Sequence, residues 1–123
     1  MIFEICNKYI NFVMRKIIRS QEFDEFYESC PKRVQEKLKY ALNVIAEIKV
    51  VSTKLVKKLI GTDFYELRIS TENEWRVIIL AIDDDNFIEC ENVLLLNGFM
   101  KKSTKDYGRE IKKAKMIINN IVI

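Results

Sequence analysis

The sequence predicts an α+β fold: a small antiparallel sheet of about four strands, preceded by a helical hairpin and followed by one C-terminal helix. Three observations carry this. Two apolar stripes at helical spacing follow one another near the start, separated by the single Pro31. Strand-like runs divided by short polar turns come next. The chain then returns to helical spacing for its last stretch.

The elements follow in order. MRKIIRS (14–20) is a short β-branched run and a predicted strand. Ser20 caps the helix after it, and Glu22, Asp24 and Glu25 suit its positive N-terminal end. Phe23, Phe26, Tyr27 and Cys30 recur at i, i+3, i+4, i+7 and give it one apolar face. Pro31 ends that helix and opens the next. There Val34, Leu38, Ala41, Ile45 and Ile48 step by four and three. Residues 50–63 predict a short helix or an irregular turn ending near Gly61.

FYELRIS (64–70) alternates, with Tyr65, Leu67 and Ile69 on one face and Phe64, Glu66 and Arg68 on the other. WRVIILAI (75–82) is apolar on both faces apart from Arg76, as a central strand requires. FIECENVLLLN (87–97) is the next strand, ending at Asn97-Gly98. The turns TENE and DDDN are short enough for an antiparallel meander. Ser103 and Asp106 form an S-x-x-D capping pattern. Tyr107, Ile111, Ala114, Ile118 and Ile121 then mark one apolar helical face. Residues 14–123 read as a single domain, and 1–13 as an N-terminal or strand extension.

Composition narrows the chemistry. The 123 residues are 49% hydrophobic and 32% charged, as in an ordinary globular domain. No apolar run approaches the roughly 20 residues of a membrane span. The first 13 residues, interrupted by Glu4 and Lys8, lack the basic start and cleavage site of a signal peptide. Cys6, Cys30 and Cys90 are odd in number, widely spaced and form no CxxC, which fits a reducing cytoplasm. With no histidine, Cys-His and Ser-His pairs and His-containing zinc sites are excluded. DDDN lacks the glycine and spaced glutamate of a calcium loop. No Walker or GxGxxG motif is present. No cofactor or metal is expected.

Charge is uneven. From Asn97 onward there are seven cations and two carboxylates, whereas the preceding 96 residues carry 14 cations and 16 carboxylates. A basic C-terminal quarter points to an anionic partner, set against the plainer possibility of a solvated helix face. Arg68 and Arg76 fall on neighbouring strands, with their relative facing left open by the register. An arginine in an apolar strand needs an ion-pair partner, such as Glu66, or a wet cleft. Lys101 and Lys102 follow the third meander strand, and Lys57 and Lys58 precede the first, so a cation-edged sheet with Tyr65 nearby is expected. Arginine and lysine in such a place suit metal-free phosphodiester cleavage.

The ordered set Leu59, Tyr65-Glu66-Leu67-Arg68, Trp75-Arg76, Leu95-Leu96-Asn97-Gly98-Phe99-Met100-Lys101-Lys102 and Glu110-Ile111-Lys112-Lys113-Ala114 resembles the RelE/HigB superfamily of bacterial toxins, nearest its phage-derived RelE-like branch. The resemblance spans about residues 14–118. It implies a RelE-like sheet-and-helix domain that cleaves mRNA, often on the ribosome, by attack of the ribose 2′-hydroxyl on the adjacent phosphate. It implies that Arg68 and Arg76 hold the phosphate. Lys101, Lys102 or Lys58 would add charge or move a proton, and Glu66 would orient an arginine or act as base. Lys57, Lys58, Tyr65, Lys105 and Arg109 form the expected RNA-binding set. A cognate antitoxin, often a helix-turn-helix protein, is the implied partner, with no membrane. Many relatives carry histidine where Asn97 stands. The alternative within the same superfamily is a ParE-like gyrase poison or a protein-binding module.

Overall fold

A computed structural model describes residues 14–121, and the expected extension over 1–13 lies outside the described residues. Strand β1 (Lys16–Arg19) leads into α1 (Gln21–Ser29) and α2 (Lys32–Glu47). Strands β2 (Val56–Lys58), β3 (Phe64–Ser70), β4 (Glu74–Ala81) and β5 (Asn92–Lys101) follow, and α3 (Lys105–Ile121) closes the described chain. The α+β class, the helical hairpin and the C-terminal helix are as the sequence predicts. No described helix is long and apolar enough to cross a membrane.

The sheet differs from expectation in three ways. It has five strands in the order β1-β5-β4-β3-β2, and β1 runs parallel to β5, so it is mixed rather than purely antiparallel. A parallel neighbour needs a long crossover, and everything between Arg19 and Asn92 supplies one. Second, residues 50–63 contain β2, whose three residues pair antiparallel with β3. A strand of three residues is too short to show a period of its own; pairing creates it. Third, β5 begins at Asn92, not Phe87, since residues 87–91 belong to the preceding turn, and it does not stop at Asn97-Gly98 but continues to Lys101.

A bulge explains the last point. Val77 pairs with Gly98 while Ile79 pairs with Leu95, so Leu96 and Asn97 together oppose Ile78. The extra residue resets the alternation. Gly98 turns toward α1, where a Cβ would lie 2.3 Å from the Phe26 ring. Asn97 turns toward α3. Only a residue without a side chain fits against Phe26, which is why the glycine sits inside a strand.

Two cores flank the sheet. Leu67, Ile69, Val77, Ile79, Val93 and Leu95 pack with Phe23, Val34, Leu38 and Ile45 of α1 and α2. Phe64, Ile78, Leu94, Leu96 and Phe99 pack on the other face with Ala114 and Ile117 of α3. Ser20 caps α1 as expected, accepting from Phe23 N at 3.0 Å. Its hydroxyl also donates to Leu96 O at 2.7 Å, pinning the helix start to β5. Such a cap stabilises by about 1 kcal/mol. Half of the predicted capping box forms at α3: Asp106 accepts from Ser103 N at 3.0 Å and Lys102 N at 2.7 Å.

Nothing in the local sequence pattern singles out Arg15. It is 3% exposed. Its guanidinium donates to Ile45 O, Ile48 O, Lys49 O and Ile88 O and lies 4.8 Å from the Phe87 ring centre. A cation on the last carbonyls of α2 satisfies orphan acceptors and opposes the helix dipole.

Candidate active site

The α3 face of the sheet collects charge at the end away from Phe64. Arg68 pairs directly with Arg76 across β3 and β4. Directly opposed residues of an antiparallel pair share a face, so the register question left by the sequence has a definite answer. Glu66 shares that face by alternation along β3. Lys101 joins it through its pairing with Glu74, and Lys57 through its pairing with Glu66.

Arg76 is 2% exposed and fully engaged on one side. Its Nε donates to the Tyr107 hydroxyl at 3.0 Å and lies 3.0 Å from Glu66 Oε1. Its Nη1 donates to Glu74 Oε1 at 3.2 Å and to Trp75 O at 2.9 Å. Burial alone acts against the Arg76 charge. The hydrogen bonds to Tyr107 and Glu74 and the Glu66 carboxylate outweigh it, holding the guanidinium above its usual pKa. The ion pair that the sequence allowed as a structural explanation of Arg76 is present.

Tyr107 is the residue that sequence reasoning missed. Its ring lies inward on the apolar face of α3, edge-on to Phe99 at 5.6 Å. That much was legible. The hydroxyl, however, donates to Glu66 Oε1 at 2.5 Å while accepting from Arg76. A tyrosine on an apolar stripe carries a polar tip that seeks a partner when buried, and Glu66 and Arg76 were available as signals. Burial, then the bond to Glu66, raises the Tyr107 pKa, so it stays protonated at neutral pH. Both bonds fall on Oε1, and Oε2 of Glu66 has no hydrogen-bond partner among the described residues.

Arg68 stands in contrast. It is partly exposed, and among the described residues it makes no side-chain hydrogen bond or ion pair. Its charge helps lower the Glu74 pKa, behind the Ser70 hydroxyl and Arg76. Lys101 is partly exposed, with its ammonium 5.6 Å from the Tyr107 ring centre. The cluster therefore offers two kinds of positive charge: Arg76, already balanced by carboxylates, and Arg68, Lys101 and Lys57, facing outward.

The other expected residues separate from it. Lys58 pairs with Tyr65 and lies on the α1–α2 face, its ammonium donating to Thr62 O at 2.5 Å and 5.1 Å from the Tyr65 ring. Tyr65 donates to Asp85 O at 2.8 Å and packs on Phe87 at 5.3 Å, serving the β4–β5 loop. Lys102 is exposed in the turn before α3. Lys105 and Arg109 are exposed on α3, and Arg109 contacts Asp106 and Glu110 at 3.3 and 3.4 Å. Asn97, in the place of a common histidine, is 2% exposed beneath α3, donating to Glu110 O and Oε1 at 3.1 and 2.9 Å. It staples helix to sheet. A cleft of about 640 Å³ between the Gly61–Phe64 turn and Lys115, Ile118 and Asn119 holds none of the clustered groups.

Fold and site together define a small sheet-and-helix domain with a polar cluster between its sheet and its last helix. Residues 25–118 match the family described as phage derived protein Gp49-like (DUF891), and the chain belongs to that family. No curated protein sequence matches it. Among solved structures, it is similar to a chain of the intact E. coli RelBE toxin–antitoxin complex. The two share 18% identity over 72% of this chain and 99% of that one, with a TM-score of 0.54. The isolated E. coli RelE toxin gives the same identity and TM-score over 80% and 96%. At that identity the likeness establishes a RelE-like fold.

Proposed function

We propose that the chain is the toxin of a toxin–antitoxin pair and a metal-independent endoribonuclease that cuts mRNA on the ribosome and so stops translation. The observation that carries this reading is the Glu66–Tyr107–Arg76 network set beside the outward-facing Arg68. It supplies a fixed carboxylate, a held proton and a free guanidinium within one patch of sheet.

The reaction needs three things. A base must take the proton of the ribose 2′-hydroxyl as it attacks the adjacent phosphorus. Positive charge must stabilise the phosphorane-like transition state. A proton must reach the departing 5′-oxygen, leaving a 2′,3′-cyclic phosphate on one product and a 5′-hydroxyl on the other. Glu66 Oε2 is the base, oriented because Oε1 is tied to Tyr107 and Arg76. Arg68 binds the phosphate bidentately, with Lys101 and Lys57 beside it. Arg76 holds Glu66 and Tyr107 in place, since its own charge is already balanced. Lys101 delivers the proton to the leaving oxygen. The partner that restrains the activity is a cognate antitoxin, with helix-turn-helix proteins the first class to look for beside the gene. The compartment is the cytoplasm.

The experiment is induced expression in bacteria with 5′ ends of cellular mRNA mapped, alongside Arg68→Ala. Growth arrest with new internal mRNA ends that Arg68→Ala removes supports the nuclease. Arrest with broken DNA and intact mRNA points to gyrase poisoning and overturns it.

A further inference from the structure

Lys105 and Arg109 belong to the expected RNA-binding set but stand outside the Arg68 cluster. On α3 the inward side is marked by the buried Glu110, Ala114 and Ile117. Lys105, Arg109, Lys112 and Met116 follow one another at steps of four, three and four on the opposite side, and all are exposed. Lys113 lies alongside. Among the described residues Lys105, Lys112 and Lys113 form no ion pair.

Arg109 pairs with Asp106 and Glu110 on its own helix, but helix stability does not account for the lysines. Cations favour the C-terminal end of a helix, yet the last turn of α3 has none, and Lys105 opens the helix at its positive end. A second observation bears on the same face. Gly108 lies inside the helix beside Lys105 and Lys112, and a Cβ there meets nothing within 4 Å. No packing among the described residues calls for a glycine. A glycine in a helix interior is destabilising, but it lets another backbone approach closely.

We propose that the outer face of α3 is a second RNA contact, which grips the sugar–phosphate backbone of an RNA segment other than the strand held at Arg68. The chemistry of this face favours RNA over an acidic protein. Protein interfaces centre on aromatic and apolar anchors and are depleted in lysine, and here Met116 is the one exposed apolar residue among four cations. Nucleic-acid interfaces are strongly positive instead. A straight ridge of lysines reads backbone and shape, not sequence. The proposal rests on reading the chain as an RNA-directed toxin, and binding is therefore measured apart from cleavage.

The test uses the full chain and a labelled 2′-O-methyl RNA duplex of about 16 base pairs, which lacks the nucleophile. A matched 2′-O-methyl single strand distinguishes helical from extended RNA, and poly-glutamate represents an acidic protein. Lys112→Gln with Lys113→Gln is expected to weaken binding about tenfold near 0.1 M salt. It should also reduce the slope of log affinity against log salt by about 1–2. Gly108→Ala is expected to raise Tm and yet weaken binding several-fold. Unchanged affinity and slope in the double lysine variant overturns the proposal. So does Gly108→Ala gaining stability at full affinity, or poly-glutamate binding as tightly as either RNA. Cleavage of an unmodified strand is scored separately, so loss of the nuclease reading leaves this result interpretable.

Discussion

Arg68 and Arg76 lie directly opposite one another on β3 and β4, on the same face of the sheet, and are held in opposite ways. Arg76 is buried between Glu66, Glu74 and Tyr107; Arg68 is partly exposed and unpaired among the described residues. Two like charges side by side on a sheet are unfavourable unless carboxylates separate their roles. Glu66 and Glu74 do so by claiming Arg76.

The two arginines should therefore fail differently when removed. Arg68→Ala is expected to keep the melting temperature within the scatter of surface substitutions, about 0.5 kcal/mol, while RNA cleavage falls by about 10²-fold or more. Arg76→Ala leaves Glu66 and Tyr107 buried without their cation and should cost about 3–5 kcal/mol. Urea melts of both variants, read beside cleavage rates, check this.

Tyr107→Phe keeps the edge-on contact with Phe99 and removes the hydroxyl. A loss of about 1–2 kcal/mol is expected, with a larger effect on cleavage because Glu66 is no longer held. The pH dependence has a definite sign. The folded Tyr107 pKa is raised above its ordinary 10.0, so its contribution is complete below pH 10 and declines as pH rises further. Thermal melts from pH 8 to 11 should show a shallower decline for Tyr107→Phe than for the parent.

Gly98→Ala places a Cβ 2.3 Å from Phe26 Cδ2 and Cε2. Overpacking of this kind typically costs about 1–3 kcal/mol, and the upper end is expected at a site with backbone on one side and a ring on the other. Adding Phe26→Leu should recover part of the loss. A double-mutant cycle measures the coupling.

The acid limb of stability should trace to Asp83 and Asp106. Asp83 accepts from Glu91 N and Asn92 N, fixing the start of β5, and these bonds hold its pKa below the ordinary 3.8. Asp106 is lowered by the backbone of Lys102 and Ser103. Such groups stabilise above the unfolded value and lose that effect as pH falls through the folded one. Asp83→Ala should flatten the fall in Tm below about pH 4, seen in a melt series against the parent.

Much of the fold was legible because periodicity reports burial. The i, i+3, i+4 pattern finds Val34, Leu38, Ala41 and Ile45, which α2 buries; it misses the buried Leu42 and includes Ile48, which is exposed just past the helix end. The parallel pairing of β1 and the strand at Val56–Lys58 were not legible, since each exists only through a partner distant in sequence. The end of β5 was misplaced because Asn97-Gly98 reads as a turn. The bulge there is set by Phe26 and Glu110, which no local pattern reveals. At the site, Arg68, Arg76, Glu66 and Lys101 were named from residue type and strand position, and the structure brings them to one face. Tyr107 was hidden by its apolar surroundings, and Lys58 and Tyr65 were placed by proximity in sequence when alternation sends them to the other side.

The proposed reaction turns on attack by the ribose 2′-hydroxyl under Glu66 and Arg68. The most direct measurement is ribosome-dependent cleavage of a defined mRNA in which the nucleotide 5′ to the cut carries a 2′-deoxy sugar. If the 2′-hydroxyl is the nucleophile, this single replacement stops cleavage there, while the unmodified message yields a 2′,3′-cyclic phosphate and a 5′-hydroxyl end. Equal cleavage of both messages, or a 5′-phosphate product, would contradict it.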